Sequence, residues 1–398
     1  LVFGLIGNAQ TNYIRILGTY YGDDTMVVRD SNTDSEGNII IIGNIKSTEN
    51  TIQYNVATLN AHQDTFAGGL SDGFIAKFTA EGALLWATYF GGESEDLLTN
   101  STIDRNDDIV LIGTTKSSTG IATLDSFQPS KVGIKDNFVA KLNKNGILLW
   151  CTYYGGEDFN DSSLPDEFNA ISGFACLVTN SNGEIFVATT TPSSIDMATE
   201  GVFQEFIYNN NSTMIVKFSE TGERQWATFY GVNVSQIYSL QCDIENVYVL
   251  GTNYDCPPLI GNSYFSTDGS YQPTNSSCVD VFISKFNVES GNRIWSTYYG
   301  GLNQERLFKK SLKLFKNHLY IVGQTASNTN ITTSNSFQPI KAPGSSIFIS
   351  KFTTTTGQLV WGTYYGNFIE NQTTRHIGIN AFDDYLYIFG QTDLASNF

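Results

Sequence analysis

Charge is scarce in this chain. Only 15% of its 398 residues are Asp, Glu, Lys or Arg, against about 25% in an average soluble domain. Cations are the scarcer kind: 22 Lys and Arg against 39 Asp and Glu leave a formal charge of −17. Without clustered cations, electrostatic partnership with nucleic acid or an anionic membrane surface is not expected. Apolar runs are short, and none approaches the length of a membrane span. Histidine numbers three, and His62, His318 and His376 fall in different parts of the chain. No HExxH or phosphate-cradling glycine loop occurs, and no two histidines share a repeat, so zinc-dependent hydrolysis lacks a sequence basis and nucleophilic catalysis finds little support. The five cysteines show no CxxC or Cys/His metal spacing.

Aromatic residues (13%) and 36 glycines are plentiful, a mixture that favours strands and tight turns over long helices. All five tryptophans sit in one recurring pattern: FIAKFTAEGALLWATYFGG, FVAKLNKNGILLWCTYYGG, MIVKFSETGERQWATFYG, VFISKFNVESGNRIWSTYYGG and IFISKFTTTTGQLVWGTYYG. In each, a glycine (82, 146, 222, 291, 357) precedes Trp86, Trp150, Trp226, Trp295 or Trp361 by four residues. A threonine follows each tryptophan by two. A headless sixth copy, IRILGTYYG, occupies 14–22. A second pattern alternates with the first: GNIIIIGN (37–44), DDIVLIGTT (107–115), GEIFVATTT (183–191), ENVYVLGTN (245–253), NHLYIVGQT (317–325) and DYLYIFGQT (384–392).

Runs of Ile, Val, Tyr and Phe beside Gly, Asn and Asp turns read as hairpins. Each repeat of about 65–75 residues therefore holds four strands, A to D, exemplified by 97–104, 108–115, 137–142 and 147–154. The fold expected is an all-β propeller of four-stranded antiparallel blades, with a solenoid as the competing arrangement. In the D strand, Trp86, Thr88 and Phe90 are expected on one face and Leu85, Ala87 and Tyr89 on the other, both needing cover. Six blades are visible and a seventh beyond Phe398 stays open. Residues 13–21 are expected to close the ring as the outer strand of the last blade, beside 375–382 and 385–391. LVFGLIGNAQ opens with an apolar stretch and ends in small residues, which reads as the tail of a signal peptide cleaved after Ala9. Residues 10–398 then form one propeller domain, continuing past the C-terminus.

The alternation of FxAKxxxxGxLLWxTYxGG with DxxGNxxxxGxT resembles the bacterial SBBP β-propeller repeat over about 14–398. Ile16-Leu17 and the single Gly231 depart from it. The resemblance implies a secreted or cell-surface protein of Bacteroidetes-type bacteria and brings no catalytic residues with it.

The long B–C connections make one end of each blade the expected binding face. Three carry Phe127-Gln128-Pro129, Tyr271-Gln272-Pro273 and Phe337-Gln338-Pro339, with Phe203-Gln204 as an echo; their rings are expected to tuck back onto the blade. Candidate ligand-binding acids on that face are Glu93, Glu95 and Asp96, then Glu157, Asp158, Asp161, Asp166 and Glu167. Asp30, Asn32 and Asp34 space oxygens like the start of a calcium loop but lack its later glycine and glutamate. That makes calcium a weak candidate, and no other cofactor is expected. Lys77, Lys141, Lys217, Lys285 and Lys351 recur in every C strand, and a buried ammonium requires a carboxylate or an aromatic face. Cys256 and Cys278 bracket one insertion, and a bridge there is worth roughly 3 kcal/mol. Cys151 and Cys176 are open to pairing or, with Cys242, to being small buried hydrophobes. The functional expectation is a non-enzymatic extracellular binding or spacer module for protein or glycan, joined to further domains of its own chain. The alternative is a polysaccharide hydrolase or lyase using carboxylates at the channel mouth.

Overall fold

The computed structural model describes residues 21–47, 55–157, 175–191, 193, 196–207, 212–231, 234–254, 263–366 and 377–390. Every regular element among them is a strand. The first sheet runs β1 (Met26–Thr33), β2 (Ile39–Lys46), β3 (Ser71–Phe78), β4 (Leu84–Phe90), in that spatial order. The second repeats the order with β5 (Asp96–Ile103), β6 (Ile109–Thr115), β7 (Asp136–Leu142) and β8 (Leu148–Tyr154). The third holds β9 (Cys176–Thr179), β10 (Ile185–Thr191), β11 (Ser212–Phe218) and β12 (Arg224–Phe229). The fourth holds β13 (Val234–Cys242), β14 (Asn246–Tyr254), β15 (Val279–Asn287) and β16 (Arg293–Tyr299). In the fifth the A strand is split into β17 (Glu305–Arg306) and β18 (Leu312–Phe315), which both pair with β19 (His318–Thr325); β20 (Ser346–Thr353) and β21 (Leu359–Tyr365) follow. A positive φ at Lys310 lies within that split. A two-stranded sheet, β22 (Ile377–Phe382) with β23 (Tyr385–Gly390), completes the described elements.

The chain divides into two compact units, one of residues 1–185, 195–197 and 218–225, the other of 186–194, 198–217 and 226–398. Residues 1–20 and 391–398 lie outside the described residues, and with them the signal-peptide reading and all but Tyr21 of the proposed closing strand. Tyr21 packs on Phe74 and Phe78 of β3. Tyr154, at the end of a D strand, packs in the same way on Phe218.

The same turn chemistry recurs. Between A and B strands, Asp34 and Asp104 each receive two backbone N–H groups on the side chain while the main chain closes the hairpin. Between C and D strands, Gly82, Gly146, Gly222, Gly291 and Gly357 all take positive φ, which glycine alone adopts at little steric cost. A bulge follows: Lys77 pairs with Trp86 and Phe78 with Leu84, so Leu85 is passed over. Ala87 and Tyr89 on one face and Thr88 and Phe90 on the other are buried as expected, and the expected cover is corrected at Leu85. Leu85 is ejected and 48% exposed, and Leu149, Ile294 and Val360 are exposed at the same place.

Sheets interlock through the tryptophans. A Cβ on Gly146 would come within 2.7 Å of the Trp86 ring; Gly222 stands likewise on Trp150, Gly291 on Trp226 and Gly357 on Trp295. Each indole N–H donates to a carbonyl of the turn it covers: Trp86 to Lys144 (3.2 Å), Trp150 to Glu220 (3.1 Å), Trp226 to Val288 (2.7 Å) and Trp295 to Thr354 (3.1 Å). The repeated Gly-x-x-x-Trp is thus one half of two different joints: its glycine receives the preceding tryptophan, and its tryptophan covers the next glycine.

The C-strand lysines find two kinds of partner. Lys77 lies 2.8 Å from Asp34, and Lys141 lies 2.7 Å from Asp104 with Asp108 and Glu220 further out. Lys217 reaches Glu289 at 3.8 Å. Lys285 and Lys351 sit over the rings of Tyr248 and Tyr320, their cross-strand neighbours. In the fourth sheet the turn aspartate, Asp243, is held by the Tyr248 hydroxyl and Asn246 instead. Cys278 is disulfide-bonded; Cys256 lies outside the described residues. Cys151, Cys176 and Cys242 are thiols, so Cys151 and Cys176 do not bridge. Cys151 is fully buried, as a small hydrophobe in the β8 strand.

Candidate functional site: the loop-bearing ends of the sheets

Strand order puts the B–C loops and the D–A connections at the same end of each sheet. A hydrogen-bonded node recurs there in five sheets. The threonine after each tryptophan accepts the backbone N–H of a loop glutamine: Thr88 from Gln63, Thr152 from Gln128, Thr228 from Gln204, Thr297 from Gln272 and Thr363 from Gln338, at 2.8–2.9 Å. The side-chain Oε1 of Gln63, Gln128 and Gln272 then accepts the N–H of Gly91, Gly155 and Gly300 at the end of a D strand. At Phe127 and Tyr271 the preceding aromatic ring packs on strands of its own and the following sheet, whereas Phe337, expected to tuck back likewise, is 82% exposed beside Tyr365. Phe127 meets Tyr154 and Phe218 under the Arg224 guanidinium, and Tyr271 meets Tyr299 and Phe352. In the first sheet His62 fills this place, 6.0 Å from the Phe90 ring, and burial lowers its pKa. Gln63 escaped the motif because it has neither an aromatic neighbour in sequence nor a proline. The signal that finds it is the spacing, 24 or 25 residues from glutamine to threonine in every node.

Replacing Thr297 by Val strips the acceptor from the partly buried N–H of Gln272. We expect a loss of about 1–3 kcal/mol in urea unfolding, with Thr297→Ser recovering most of it. An unchanged midpoint in the valine variant would show that the node does not hold the loop.

The candidate acids take structural places. Asp96 is fully buried and accepts from the Gly92 N–H (2.6 Å) and the Ser117 hydroxyl (2.8 Å). Glu93 is exposed but binds Ser118 and Thr119. Burial works to raise its pKa, yet those hydrogen bonds prevail and bring it to about 2. Glu95 pairs with Lys116 at 3.1 Å. All three thus meet donors of the chain itself, while Oδ1 of Asp96 has no hydrogen-bond partner among the described residues. Glu157 is exposed. Asp158, Asp161, Asp166 and Glu167 lie outside the described residues. The residues spaced like the start of a calcium loop also bond within the chain. Asp30 accepts from Ser31, Asn100 and Ser101, Asn32 donates to Ser101, and Asp34 serves its turn and Lys77. No group of three or more His, Cys, Asp and Glu gathers as metal ligands among the described residues.

Carboxylates do converge elsewhere. Asp72, Asp136 and Asp280 stand near the start of C strands, fully buried, and accept from loop groups such as Ala67, Val132 and Ser276. Asp280 meets Glu305 from the next sheet. Oδ1 of Asp280 and Oε2 of Glu305 both lie within 2.8 Å of the point a Cβ would occupy at Gly300. Glu305 is also fully buried; its Oε1 takes the hydroxyls of Thr325 and Ser327, while Oε2 has no hydrogen-bond partner among the described residues. Burial, reinforced by the Asp280 charge, pushes Glu305 up to about 8. Burial and the Asp96 charge hold Asp72 at about 7. Two carboxylates this close and this dry favour keeping one proton between them. They lie beneath the glycine turns and present nothing to a substrate.

The second unit also contains a cavity of about 460 Å³ lined by Tyr238, Tyr254, Val279, Gln304, Arg306, Leu307 and Phe308. Strand alternation turns Val279 and Arg306 to the cavity and their neighbours Asp280 and Glu305 into the buried pair. The hydroxyls of Tyr238 and Tyr254 are 2.8 Å apart. Sequence reading missed this place because its residues come from four strands, β13, β14, β15 and β17, and from the residues flanking β17, and carry no motif.

No family model matches the chain. An uncharacterized WD repeat-containing protein, L264, of Acanthamoeba polyphaga mimivirus is 24% identical over 319 residues, 67% of this chain. The chain spans about a fifth of that relative, 22% of its length. Among solved structures, the β-propeller domain of the Trilobed protease from Pyrococcus furiosus superposes with a TM-score of 0.39 at 9% identity, covering 92% of this chain and 83% of that one. A protein of unknown function from Dyadobacter fermentans gives 0.38 at 9%, covering 87% and 85%. The polysaccharide lyase Uly1 gives 0.40 at 10%, covering 98% and 91%. At these scores the likenesses assign no residue and no activity to this chain.

Proposed function

We propose that the chain is a propeller of SBBP-type repeats, secreted or displayed at the cell surface, that binds protein or glycan without catalysis. The observation that carries this reading is the fate of the carboxylates. A glycosidase or lyase of the expected kind needs two acids open to substrate. Here the convergent pairs are sealed beneath glycine turns, and Glu93, Glu95 and Asp96 are engaged by the chain's own donors. The stacked four-stranded repeats, with Tyr21 placed like the end of a D strand, support ring closure. The bridged Cys278 suits an oxidising compartment. The WD repeat-containing relative, much longer than this chain, supports a repeat module within a larger protein. No cofactor enters the reading.

The test is a panel of polysaccharides incubated with the purified chain. Neither new reducing ends nor unsaturated uronates are expected to accumulate, while at least one polysaccharide or surface protein is retained on the immobilised chain. Product formation abolished by substituting a carboxylate would overturn the reading in favour of an enzyme.

A further inference from the structure

The cavity of the second unit differs in charge from the chain around it. None of its lining residues is acidic, in a protein with 39 Asp and Glu. Arg306 lines it, is exposed, and makes no ion pair among the described residues. Four lysines follow within ten residues, Lys309, Lys310, Lys313 and Lys316, so this short stretch holds five of the 22 cations. The remaining lining divides into flat and hydrogen-bonding parts. Phe308 and the two tyrosines supply aromatic surface. The Gln304 amide and the Tyr238 and Tyr254 hydroxyls supply donors and acceptors. Tyr238 is committed on one side, donating to Gln236 at 2.6 Å. A volume near 460 Å³ falls within the range of small-molecule sites, about 300–1,000 Å³.

From this arrangement we propose that the cavity is a binding site for a saccharide carrying a carboxylate, a uronate residue of an acidic glycan. The Arg306 fork takes the carboxylate by two parallel N–H···O bonds. An aromatic face covers one side of the sugar ring. Gln304 and Tyr254 take ring hydroxyls. The inference rests on the reading of the chain as a binding module and names a ligand class for it. The buried pair of Asp280 and Glu305 backs two of the lining residues and holds them in register; it does not touch the ligand.

The probe is a saturated trigalacturonate, titrated calorimetrically into the whole chain, with neutral galactotriose and inorganic phosphate as parallel arms. Trigalacturonate is expected to bind and the other two to bind at least tenfold more weakly. Arg306→Gln is expected to weaken uronate binding at least tenfold with an unchanged urea midpoint. Tyr254→Phe is expected to weaken it about threefold. No uronate binding, equal binding of galactotriose, equal binding of phosphate, or an Arg306→Gln variant that binds as before each overturns the proposal. Cleavage of the uronate, read by chain-length analysis of the same samples, would overturn the non-catalytic reading while leaving the site in place.

Discussion

Truncating Trp295 to Ala is expected to cost about 3–5 kcal/mol, the usual penalty for removing a buried aromatic side chain. Trp295 is buried in a cluster with Tyr299, Phe348 and Phe352. Its indole covers Gly357 and donates to Thr354 in the next sheet's turn. The alanine variant therefore loses apolar burial and a hydrogen bond at one joint. The reciprocal change, Gly357→Val, works from the other side. A Cβ there would stand 2.6 Å from the Trp295 ring on a backbone with φ of +66°, a region that costs a β-branched residue more than the roughly 1–2 kcal/mol typical of L-residues. Both variants should lower the urea midpoint strongly, and their effects should be far from additive because they break the same contact. Trp361 serves as a comparison. It is less buried than Trp295, and its truncation should cost less. A loss under about 1 kcal/mol for Trp295→Ala would show that the glycine–tryptophan joint does not hold neighbouring sheets together.

The second large effect is a fall in stability between about pH 5 and pH 8. Glu305 and Asp72 bind their protons more tightly folded than unfolded, because burial penalises the charged form and Asp280 or Asp96 stands close by. Unfolding in this window therefore releases protons, and raising the pH favours the unfolded chain. The stabilisation is fully present below the ordinary carboxylate range near pH 4 and is gone once the pH passes the folded values of about 7 and about 8. Each group is expected to contribute on the order of 4 kcal/mol across the window. The measurement is the urea midpoint at half-unit pH steps. Glu305→Gln should remove its share of the slope and leave the variant more stable than the parent above pH 8. A midpoint that stays level or rises from pH 5 to pH 8, or a slope that survives both Glu305→Gln and Asp72→Asn, would refute the buried-proton account.

The two effects share a cause. A repeat protein of low charge holds its sheets by close contact, and close contact demands glycine opposite Trp86, Trp150, Trp226 and Trp295 and above Asp72, Asp136, Asp280 and Glu305. The same glycines that admit the indoles, and those that roof the acid pairs, leave no space for any side chain. Loops are then secured by glutamine and threonine instead of ion pairs, consistent with a surface where Asn, Ser, Thr and Gly replace charge.

The strand repeat is legible in the order of residues alone. Alternating Gly-x-x-x-Trp-x-Thr and hairpin motifs recur at a spacing that only a four-stranded unit fits, and strand periodicity and turn chemistry are local properties read within a few residues. The same order shows that each C-strand lysine requires a partner, because a lone buried ammonium is too costly. What those residues meet follows from packing between strands. Leu85 was assigned to a covered face and is expelled by a bulge whose register depends on the neighbouring strand. Asp96 read as a surface acid and is buried because a glycine turn and Ser117 close over it. Glu305 and Asp280 are 25 positions apart in the chain and become a pair only where two sheets abut, as do the residues of the Arg306 cavity. Contacts between strands distant in sequence leave no periodic trace in composition, and the charge state of a carboxylate is set by the dryness and the neighbours that packing imposes.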